Sequence, residues 1–591
     1  MKLISIFFLL ISLSTVSAQN QEYQTLYNKY KHIFTNKSPT QGAITFASVG
    51  DDPVNCDFDT IQAAINSGVA EVRIQQFLTY TENLTIQNKS IKLIGGYDNC
   101  LEANNGVGQT GLSATIDGSN IAPVININND NAVYDVTIEN LWMQNGNSTI
   151  NFFGGGLEAK GMLTTLNINN IRAFNNTGSG INVEDIDSLI IKDSLISNNS
   201  ATIGGGIACS ATSVTVYGTT VIVSNSASIA GGGIYAYNQC DFTYFSGQPH
   251  PANAIAGITG NTTDGQGGGI YAYDGSTINL YGFEIDFGNG NVLGDSSAPV
   301  QIFSNIADSD GGGLFISDPT TQANLSGIHF RFNRTPTGNG GGIAVFNQAT
   351  LGITRYNVPC WDDIQCNLFY FNRSSTGATG GGGIYAGTNT AISVGNAYFE
   401  KNTASFGTAL LITDSAQATI EGSIFTDNNA NIGRAGNYVI DLESFSQLTL
   451  GFNTFVDNLA TTTIINVNSS TMINKGNLFY EYELDPVIIR TASTLTNDCI
   501  VSRSTTNIVG TNITQTVFDP FVDRSVQNFH LDEISGGVAM DQCDTSLYSP
   551  SLKDMDHEPR GIDLPLMNTD GPYDVGADEF FVEELFSDGF E

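Results

Sequence analysis

The sequence predicts an all-β protein folded as a single parallel β-helix with three parallel sheets, and three observations lead to this prediction. A triple glycine followed by an alternating strand recurs along the chain, as in Gly267-Gly268-Gly269-Ile270-Tyr271-Ala272-Tyr273. A second short strand and then a third, which ends in Phe-x-x-Asn, follow the glycines. Strands this short cannot fold alone, so each must pair with the equivalent strand one turn on, about 4.8 Å away.

The repeats align over residues 116–484 and indicate about 15 coils, a rod roughly 70 Å long. We expect inward Ile and Leu ladders, glycines at bends where φ is positive or coils approach closely, and asparagines stacked amide on amide. The glycine runs begin at Gly204, Gly231, Gly267, Gly311, Gly340 and Gly381, and the other copies are Phe330/Asn333, Phe369/Asn372, Phe399/Asn402, Phe425/Asn428 and Phe455/Asn458.

Residues 1–18 are typical of a signal peptide. Lys2 supplies the positive region, Leu3 to Leu13 the apolar stretch, and Val16-Ser17-Ala18 the small-residue cleavage site. The apolar stretch is shorter than the roughly 20 residues that cross a bilayer, and no later stretch qualifies. We therefore expect a secreted protein, extracellular or associated with a bacterial cell surface, without a transmembrane segment in the mature chain.

The rest of the chain divides by its pattern. Residues 19–50 are polar and predict a leader or linker. Residues 51–115 should form a cap and the first coils, because a short amphipathic helix at 59–68 can cover the open end of the core. The repeat fades after 484, so residues 485–580 predict a C-terminal capping module, and residues 581–591 form an acidic, aromatic tail.

The charge balance narrows the possible partners. The chain has 22 Lys and Arg against 58 Asp and Glu, a net charge of −36. A surface this negative repels phosphate backbones, which disfavours nucleic-acid binding. It suits cation binding, or simply the solubility of a large secreted rod, which we expect to be a monomer.

Eight cysteines, an even number, fit an oxidising compartment. Sequence alone does not fix their connectivity, and none shows the paired C-x-x-C spacing of a zinc site. The disulfide candidates are Cys360 with Cys366 in a short loop, Cys56 with Cys100, Cys499 with Cys543, and, by elimination, Cys209 with Cys240.

Several motifs resemble known families. The helix near residue 61 and Ile91-Lys92-Leu93-Ile94-Gly95-Gly96-Tyr97 look like the N-terminal coils of pectin-lyase-like right-handed β-helix proteins. The Gly-Gly-x-Ile and Phe-x-x-Asn pair resembles the repeat of polymorphic outer-membrane proteins, a family of secreted or surface-displayed adhesin-like rods. Residues 528–579 resemble the choice-of-anchor Q domain, except at Gly536-Gly537-Val538. The resemblance implies a right-handed β-helix at the cell surface and says little about activity.

An outward aromatic stripe is the first candidate site. If the isoleucines after the glycines point inward, period-2 alternation sends the neighbouring rings outward, interrupted only by Ala344. Rings on a sheet suit stacking on sugar rings, and they equally suit a self-stacking ladder that stabilises neighbouring coils. The candidate ligand-binding residues are Tyr235, Tyr237, Tyr271, Tyr273, Phe315 and Tyr385, with Phe346 on the same face.

A basic spot is the second candidate. Arg334 and Arg373 each directly follow a ladder asparagine and should lie close together near Lys401, with Asp362 and Asp363 in the adjacent loop. A polyuronate lyase needs a cationic base and carboxylates for Ca²⁺, and Arg binds carboxylates bidentately. The simpler interpretation is a solvated pair of arginines at a strand exit.

Carboxylate pairs for glycoside hydrolysis need only two acids about 5 to 9.5 Å apart, so they arise by chance among 58 acids. Asp264, Asp308 and Asp310 are examples. Of the polygalacturonase-like signatures only Asn568-Thr569-Asp570 occurs, beyond the coils, and the five histidines fall in no metal or triad spacing.

The sequence thus favours adhesion or glycan binding without catalysis, with an extracellular polysaccharide or cell-surface glycan as partner and no cofactor. The alternative is a polysaccharide lyase or glycoside hydrolase acting on an extended, uronic-acid-containing polymer, the one case in which we expect Ca²⁺. A passively displayed structural rod is the third possibility.

Overall fold

A computed structural model of the chain describes residues 24–31, 33, 45–130, 132–148, 154–247, 257–287, 292–294, 298–354, 367–374, 380–428, 438–459, 463–481, 487–544, 554–555, 560–561 and 571–580. These residues form a parallel β-helix, as the repeats predict. Three columns of short parallel strands follow one another in every coil, and we number the sheets in the order in which a coil passes through them.

Sheet 1 follows the glycines and has 14 strands, close to the coil number that the repeats predict. Its strands are Leu84–Gln87, Ile125–Asn128, Gly154–Lys160, Ser179–Glu184, Ile207–Ser210, Ile234–Tyr237, Ile270–Ala272, Leu314–Ser317, Ile343–Phe346, Ile384–Ala386, Leu410–Ile412, Ile440–Leu442, Ile465–Asn468 and Ile488–Thr491.

Sheet 2 holds the second strand of each coil. Its strands are Phe46–Val49, Glu71–Gln75, Ile91–Tyr97, Tyr134–Glu139, Thr164–Asn169, Ser188–Lys192, Ser213–Tyr217, Asp241–Phe245, Thr277–Tyr281, Gln322–Ser326, Thr350–Thr354, Ala391–Gly395, Gln417–Glu421, Gln447–Gly451, Thr471–Lys475, Thr494–Ser502 and Gly510–Gln515.

Sheet 3 holds the Phe-x-x-Asn strands, and Thr494–Ser502 joins it to sheet 2 by pairing with both. Its strands are Thr79–Thr81, Ala114–Asp117, Leu141–Gln144, Arg172–Phe174, Leu195–Ser197, Val221–Val223, Gly257–Thr259, Val300–Phe303, Ile328–Arg331, Asn367–Tyr370, Ala397–Glu400, Ile424–Thr426, Thr454–Val456 and Leu478–Tyr480. Small additional sheets are Ser200–Ile203, Ser226–Ala230, Thr262–Thr263 and Ile306–Ala307 (parallel), and Ile285–Asp286 with Val292–Leu293 (antiparallel).

One apolar core runs along the rod. The inward residues of sheet 1 lie in register from coil to coil, as in Ile270 opposite Leu314 and Leu314 opposite Ile343, and all are fully buried. The first glycine of each run has the predicted positive φ, for example 69° at Gly267. A Cβ on Gly268 would lie 2.5 Å from the carbonyl oxygen of Gly312 in the next coil, so only glycine fits there.

A ladder of buried asparagines runs along the bend after sheet 3, as predicted. The Nδ2 of Asn372 donates to Oδ1 of Asn402 at 3.0 Å and to the carbonyl of Phe330 at 2.7 Å. Its Oδ1 accepts from the side chain of Asn333 at 3.0 Å. The ladder ends at the carboxylate of Glu481, which accepts from the backbone and side chain of Asn458 at 2.9 and 2.8 Å.

The N-terminal end carries the predicted helix, Ile61–Asn66, whose Ile61, Ala64 and Ile65 join the core. A second helix, Cys100–Asn105, packs on the sheet 2 strands Phe46–Val49 and Glu71–Gln75. The stretch that the sequence assigns to a leader also has structure, because residues 24–30 are helical and Tyr30 packs edge-on against Phe245 of sheet 2 at 5.1 Å.

The C-terminal module lies along the outer face of sheet 3. It contains the antiparallel pair Phe521–Asp523 and Asn528–Leu531 and the 3-10 turns Arg524–Val526 and Gly536–Val538. Its apolar side chains pack on outward residues of sheet 3 such as Tyr398 and Ile424. The module therefore covers one side of the rod over several coils.

Two of the four candidate disulfides are present, Cys56–Cys100 and Cys209–Cys240. The prediction for Cys499 and Cys543 is wrong in this structure: both are buried free thiols. They are close neighbours, but the Cys543 thiol is directed at the carbonyl oxygen of Cys499, 3.8 Å away, and burial raises its pKa. The Cys360–Cys366 pair and the signal peptide lie outside the described residues, in which no helix is long and apolar enough to cross a membrane.

Candidate functional site

The predicted aromatic stripe lies on the outer face of sheet 1. Strand register places Tyr235 opposite Tyr271, and Tyr271 opposite Phe315. Tyr237 and Tyr273 follow two positions on, and all four tyrosines are half-buried. We call Tyr235, Tyr237, Tyr271 and Tyr273 the tyrosine array.

The rings of the tyrosine array stack on one another. The ring centroids of Tyr235 and Tyr271 are 5.2 Å apart with planes at 5°, and those of Tyr271 and Phe315 are 5.0 Å apart at 3°. Both faces of Tyr271 are therefore covered by protein. The expected flat sugar-stacking surface is not formed there, because neighbouring rings occupy both faces of Tyr271.

Phe315 and Tyr385, two of the predicted ligand-binding residues, are buried, with 3 % and 7 % exposure. Phe346 bridges them, at 5.4 Å from Phe315 and 4.8 Å from Tyr385, and so closes the gap left by Ala344. The buried rings of Phe315 and Tyr385 extend the stack. Its accessible part is therefore the tyrosine array together with Phe346.

The phenols of the array are weak acids. Burial, with the neighbouring Tyr273 and Asp318, raises the pKa of Tyr271 to about 12. Burial and the nearby hydroxyl of Tyr273 also raise the pKa of Tyr235. The hydroxyl groups of Tyr235 and Tyr271 therefore stay protonated in the physiological range and can both donate and accept hydrogen bonds.

The predicted basic spot is formed in part. Arg334 and Arg373 pair in register in adjacent coils, and both are exposed. Lys401 lies in the next coil but is ion-paired with Glu400, and with Asp427 at 3.7 Å. Burial lowers the pKa of Lys401, but the hydrogen bond and charge of Glu400 outweigh burial and raise it. Lys401 is thus neutralised by acids, whereas the two arginines have no ion pair with any residue that the structure describes.

The candidate carboxylates lie on the turns that precede the glycine runs, with Asp264 and Asp308 at equivalent positions of adjacent coils. Asp310 accepts from the backbone of Asn339 at 2.8 Å and from Gln266 at 3.2 Å, so it supports a turn. Asp264 and Asp308 are exposed on turns. The residues that the structure describes contain no group of three His, Cys, Asp or Glu that could hold a metal ion, and Asp362 and Asp363 lie outside them.

Asp441, which sequence reasoning missed, lies in the outward column of sheet 1, between Leu411 and Asn466. Burial and the charge of Glu443 raise its pKa to about 7, and Asn466 donates to it at 2.8 Å. The side chain of Asp441 is fully buried, so a polysaccharide cannot reach it.

Two exposed phenylalanines, Phe332 and Phe371, were also missed. Each directly precedes a ladder asparagine and an arginine, so the tripeptide Phe-Asn-Arg occurs twice, in adjacent coils. That repetition is the sequence signal that could have revealed them.

No protein-family model and no curated protein matches this chain.

Proposed function

We propose that this protein is a secreted or cell-surface β-helix that binds an extended extracellular polysaccharide through the tyrosine array, without catalysis. The observation that carries the proposal is the grouping of four half-buried, mutually stacked tyrosines in two adjacent coils. Ring edges and hydroxyl groups that repeat at the coil spacing can follow a linear polymer.

The surroundings of the array support this role. Outward tyrosines keep an apolar body and a polar tip in one side chain, the composition that suits contact with a sugar. Tyr237 and Tyr273 are the more loosely stacked pair, with centroids 6.2 Å apart, and lie at the margin of the stack. These two rings are the ones that a ligand can reach without breaking the tighter contacts of Tyr271.

Resemblances of the repeats, the N-terminus and the C-terminal module to known families support this proposal. The Gly-Gly-x-Ile and Phe-x-x-Asn repeat resembles that of the polymorphic outer-membrane proteins, and residues 1–18 resemble a signal peptide. The C-terminal module resembles the choice-of-anchor Q domain. A monomeric, acidic rod at a bacterial surface that contacts glycans and avoids nucleic acids accords with these resemblances and with the net charge of −36.

The test is affinity gel electrophoresis of the full chain in gels that contain one of two neutral polymers, hydroxyethylcellulose or galactomannan. We expect retardation by at least one polymer and its loss in Tyr237→Ala/Tyr273→Ala. Tyr134→Ala is the matched control, because Tyr134 is a half-buried tyrosine of sheet 2. Equal retardation of the double variant and the wild type, or none for the wild type in any gel, would refute the proposal.

A further inference from the structure

A second binding site is indicated by the position that precedes each ladder asparagine. This position has a left-handed backbone in every coil of the ladder, and most coils fill it with residues that tolerate positive φ. The residues are Asn175, Asn198, Ser224, Gly260, Ser304, Phe332, Phe371, Lys401, Asp427 and Asp457. Phe332 and Phe371, at φ 57° and 54°, are the two bulky aromatic exceptions.

Packing within the protein covers these two rings only in part. Phe332 meets Phe303 and Tyr370 edge-on at 5.5 Å, and Phe371 meets Tyr370 edge-on at 4.7 Å. Phe332 and Phe371 stack on each other at 5.4 Å with planes at 5°, yet 41 % and 42 % of their surface remains exposed. Phe452 makes a useful contrast, because it also has positive φ, 53°, but is fully buried under the C-terminal module. Full burial offsets its unfavourable backbone, whereas Phe332 and Phe371 keep a large part of their apolar surface in water.

The neighbouring arginines are equally unusual. Arg334 and Arg373 pair directly across adjacent coils, about 4.8 Å apart along the rod, where like charges destabilise a sheet. Neither forms an ion pair with any residue that the structure describes. In a chain with 58 acids and 22 basic residues, two adjacent cations without acidic partners stand out.

A third cation lies at the same bend after sheet 3, which we call the corner of Phe332 and Phe371. The guanidinium of Arg331 lies 5.4 Å from the ring centroid of Tyr370 and 5.9 Å from that of Phe332. The corner thus combines three arginines with exposed aromatic edges, and aromatic edges are electropositive.

We propose that Phe332, Arg334, Phe371 and Arg373 form a binding site for the anionic sugar residues of an acidic polysaccharide. Each guanidinium can bind a carboxylate or sulfate group bidentately. The edges of the two phenylalanine rings can contact the C–H surface of the sugar that links the bound acidic groups. One bound ligand would relieve the repulsion between the arginines and cover the exposed rings. This site shares no residue with the tyrosine array and does not depend on it.

Charge spacing favours a polysaccharide over a nucleic acid. The two arginines repeat at about 4.8 Å, and a polyuronate carries a single carboxylate on each sugar of its chain. A nucleic-acid strand carries one charge per roughly 3.4 Å and would meet stronger repulsion from the net charge of −36.

The test is titration calorimetry of the full chain with five probes: polygalacturonate, dextran sulfate, neutral dextran, poly-glutamate and oligothymidylate. We expect polygalacturonate or dextran sulfate to bind and neutral dextran not to bind. Arg334→Gln/Arg373→Gln should weaken binding at least tenfold, with Arg490→Gln, an exposed arginine of sheet 1, as the control. Preference for poly-glutamate or oligothymidylate, no binding of either acidic polysaccharide, or unchanged affinity in the double variant would overturn the proposal.

Phe332→Asn/Phe371→Asn distinguishes a role in binding from a role in the fold. The two roles predict different outcomes for the melting temperature and for the affinity. Asparagine tolerates the left-handed backbone, so this variant should melt at the same or a higher temperature than the wild type. Its affinity for the acidic polysaccharide should still fall at least fivefold. A lower melting temperature together with unchanged affinity would show that the rings serve the fold. The tyrosine-array variant should keep its affinity for the acidic probe, which separates failure of this proposal from failure of the proposed function.

Discussion

Two aromatic columns run along the same rod with nearly the same ring spacing but in different surroundings. The buried column of sheet 3 stacks Phe369, Phe399 and Phe425 at 4.8 Å per step, and all are fully enclosed. The tyrosine array on sheet 1 stacks at 5.2 Å but remains half-exposed. Stacking is therefore common to both columns, and burial separates the rings that hold the fold together from those that are available for a ligand.

The largest expected effect is the removal of one ring from the buried column. Phe399→Ala leaves a cavity between Phe369 and Phe425, and such a change costs about 3 to 5 kcal/mol. Urea unfolding should show this loss in the free energy of unfolding. Phe399→Leu, which keeps most of the volume, should lose much less, and an equal loss for the two would argue against cavity formation as the cause.

A break in the asparagine ladder should cost slightly less. Asn372→Ala removes both donors to Phe330 and Asn402 and the acceptor for Asn333, and leaves buried polar groups without partners. We expect a loss of about 2 to 4 kcal/mol by urea unfolding, because each buried unpaired group costs about 1 to 3 kcal/mol. Asn128→Ala, at the exposed end of a strand of sheet 1, is the control and should stay within about 0.5 kcal/mol of the wild type.

The end of the ladder should make stability pH-dependent. Burial raises the pKa of Glu481 to about 8, although its hydrogen bonds from Asn458 lower it. Because the folded state holds the proton more tightly than the unfolded state, this contribution is complete below about pH 4 and is lost as the pH rises to about 8. Glu481→Gln should reduce the fall in melting temperature between pH 5 and pH 9. An unchanged pH profile would contradict the assignment.

Truncation in the exposed column should have the smallest effect on stability. Tyr273→Ala removes a half-buried ring at the margin of the stack, and we expect a loss of about 1 kcal/mol in urea, well below that of Phe399→Ala. A loss as large as that of the buried variant would show that the tyrosine array serves the fold.

The repeats predicted the interior of the molecule well. Coil register, the inward column through Ile270, positive φ at Gly267 and the ladder through Asn372 all follow from a local pattern that each coil repeats. A repeat predicts these features because each coil contacts only its neighbours. The capping helix was equally visible, since its amphipathic pattern is local.

Features that depend on contacts between distant segments were not predictable in this way. The docking of Tyr30 on sheet 2 joins residues 213 positions apart, and no local pattern signals it. The burial of Phe315 and Tyr385 depends on rings in other coils, so alternation gave their direction but not their exposure. The unbonded state of Cys499 and Cys543 likewise depends on how the C-terminal module packs.

The most direct measurement of the division between the two columns compares Tyr237→Ala/Tyr273→Ala with Phe399→Ala by affinity electrophoresis on the same polysaccharide, with unfolding curves for both. The tyrosine variant should lose retardation while keeping nearly all of its stability, and the phenylalanine variant should lose stability while keeping retardation. Loss of retardation that simply follows loss of stability in both variants would contradict the assignment of ligand binding to the exposed column.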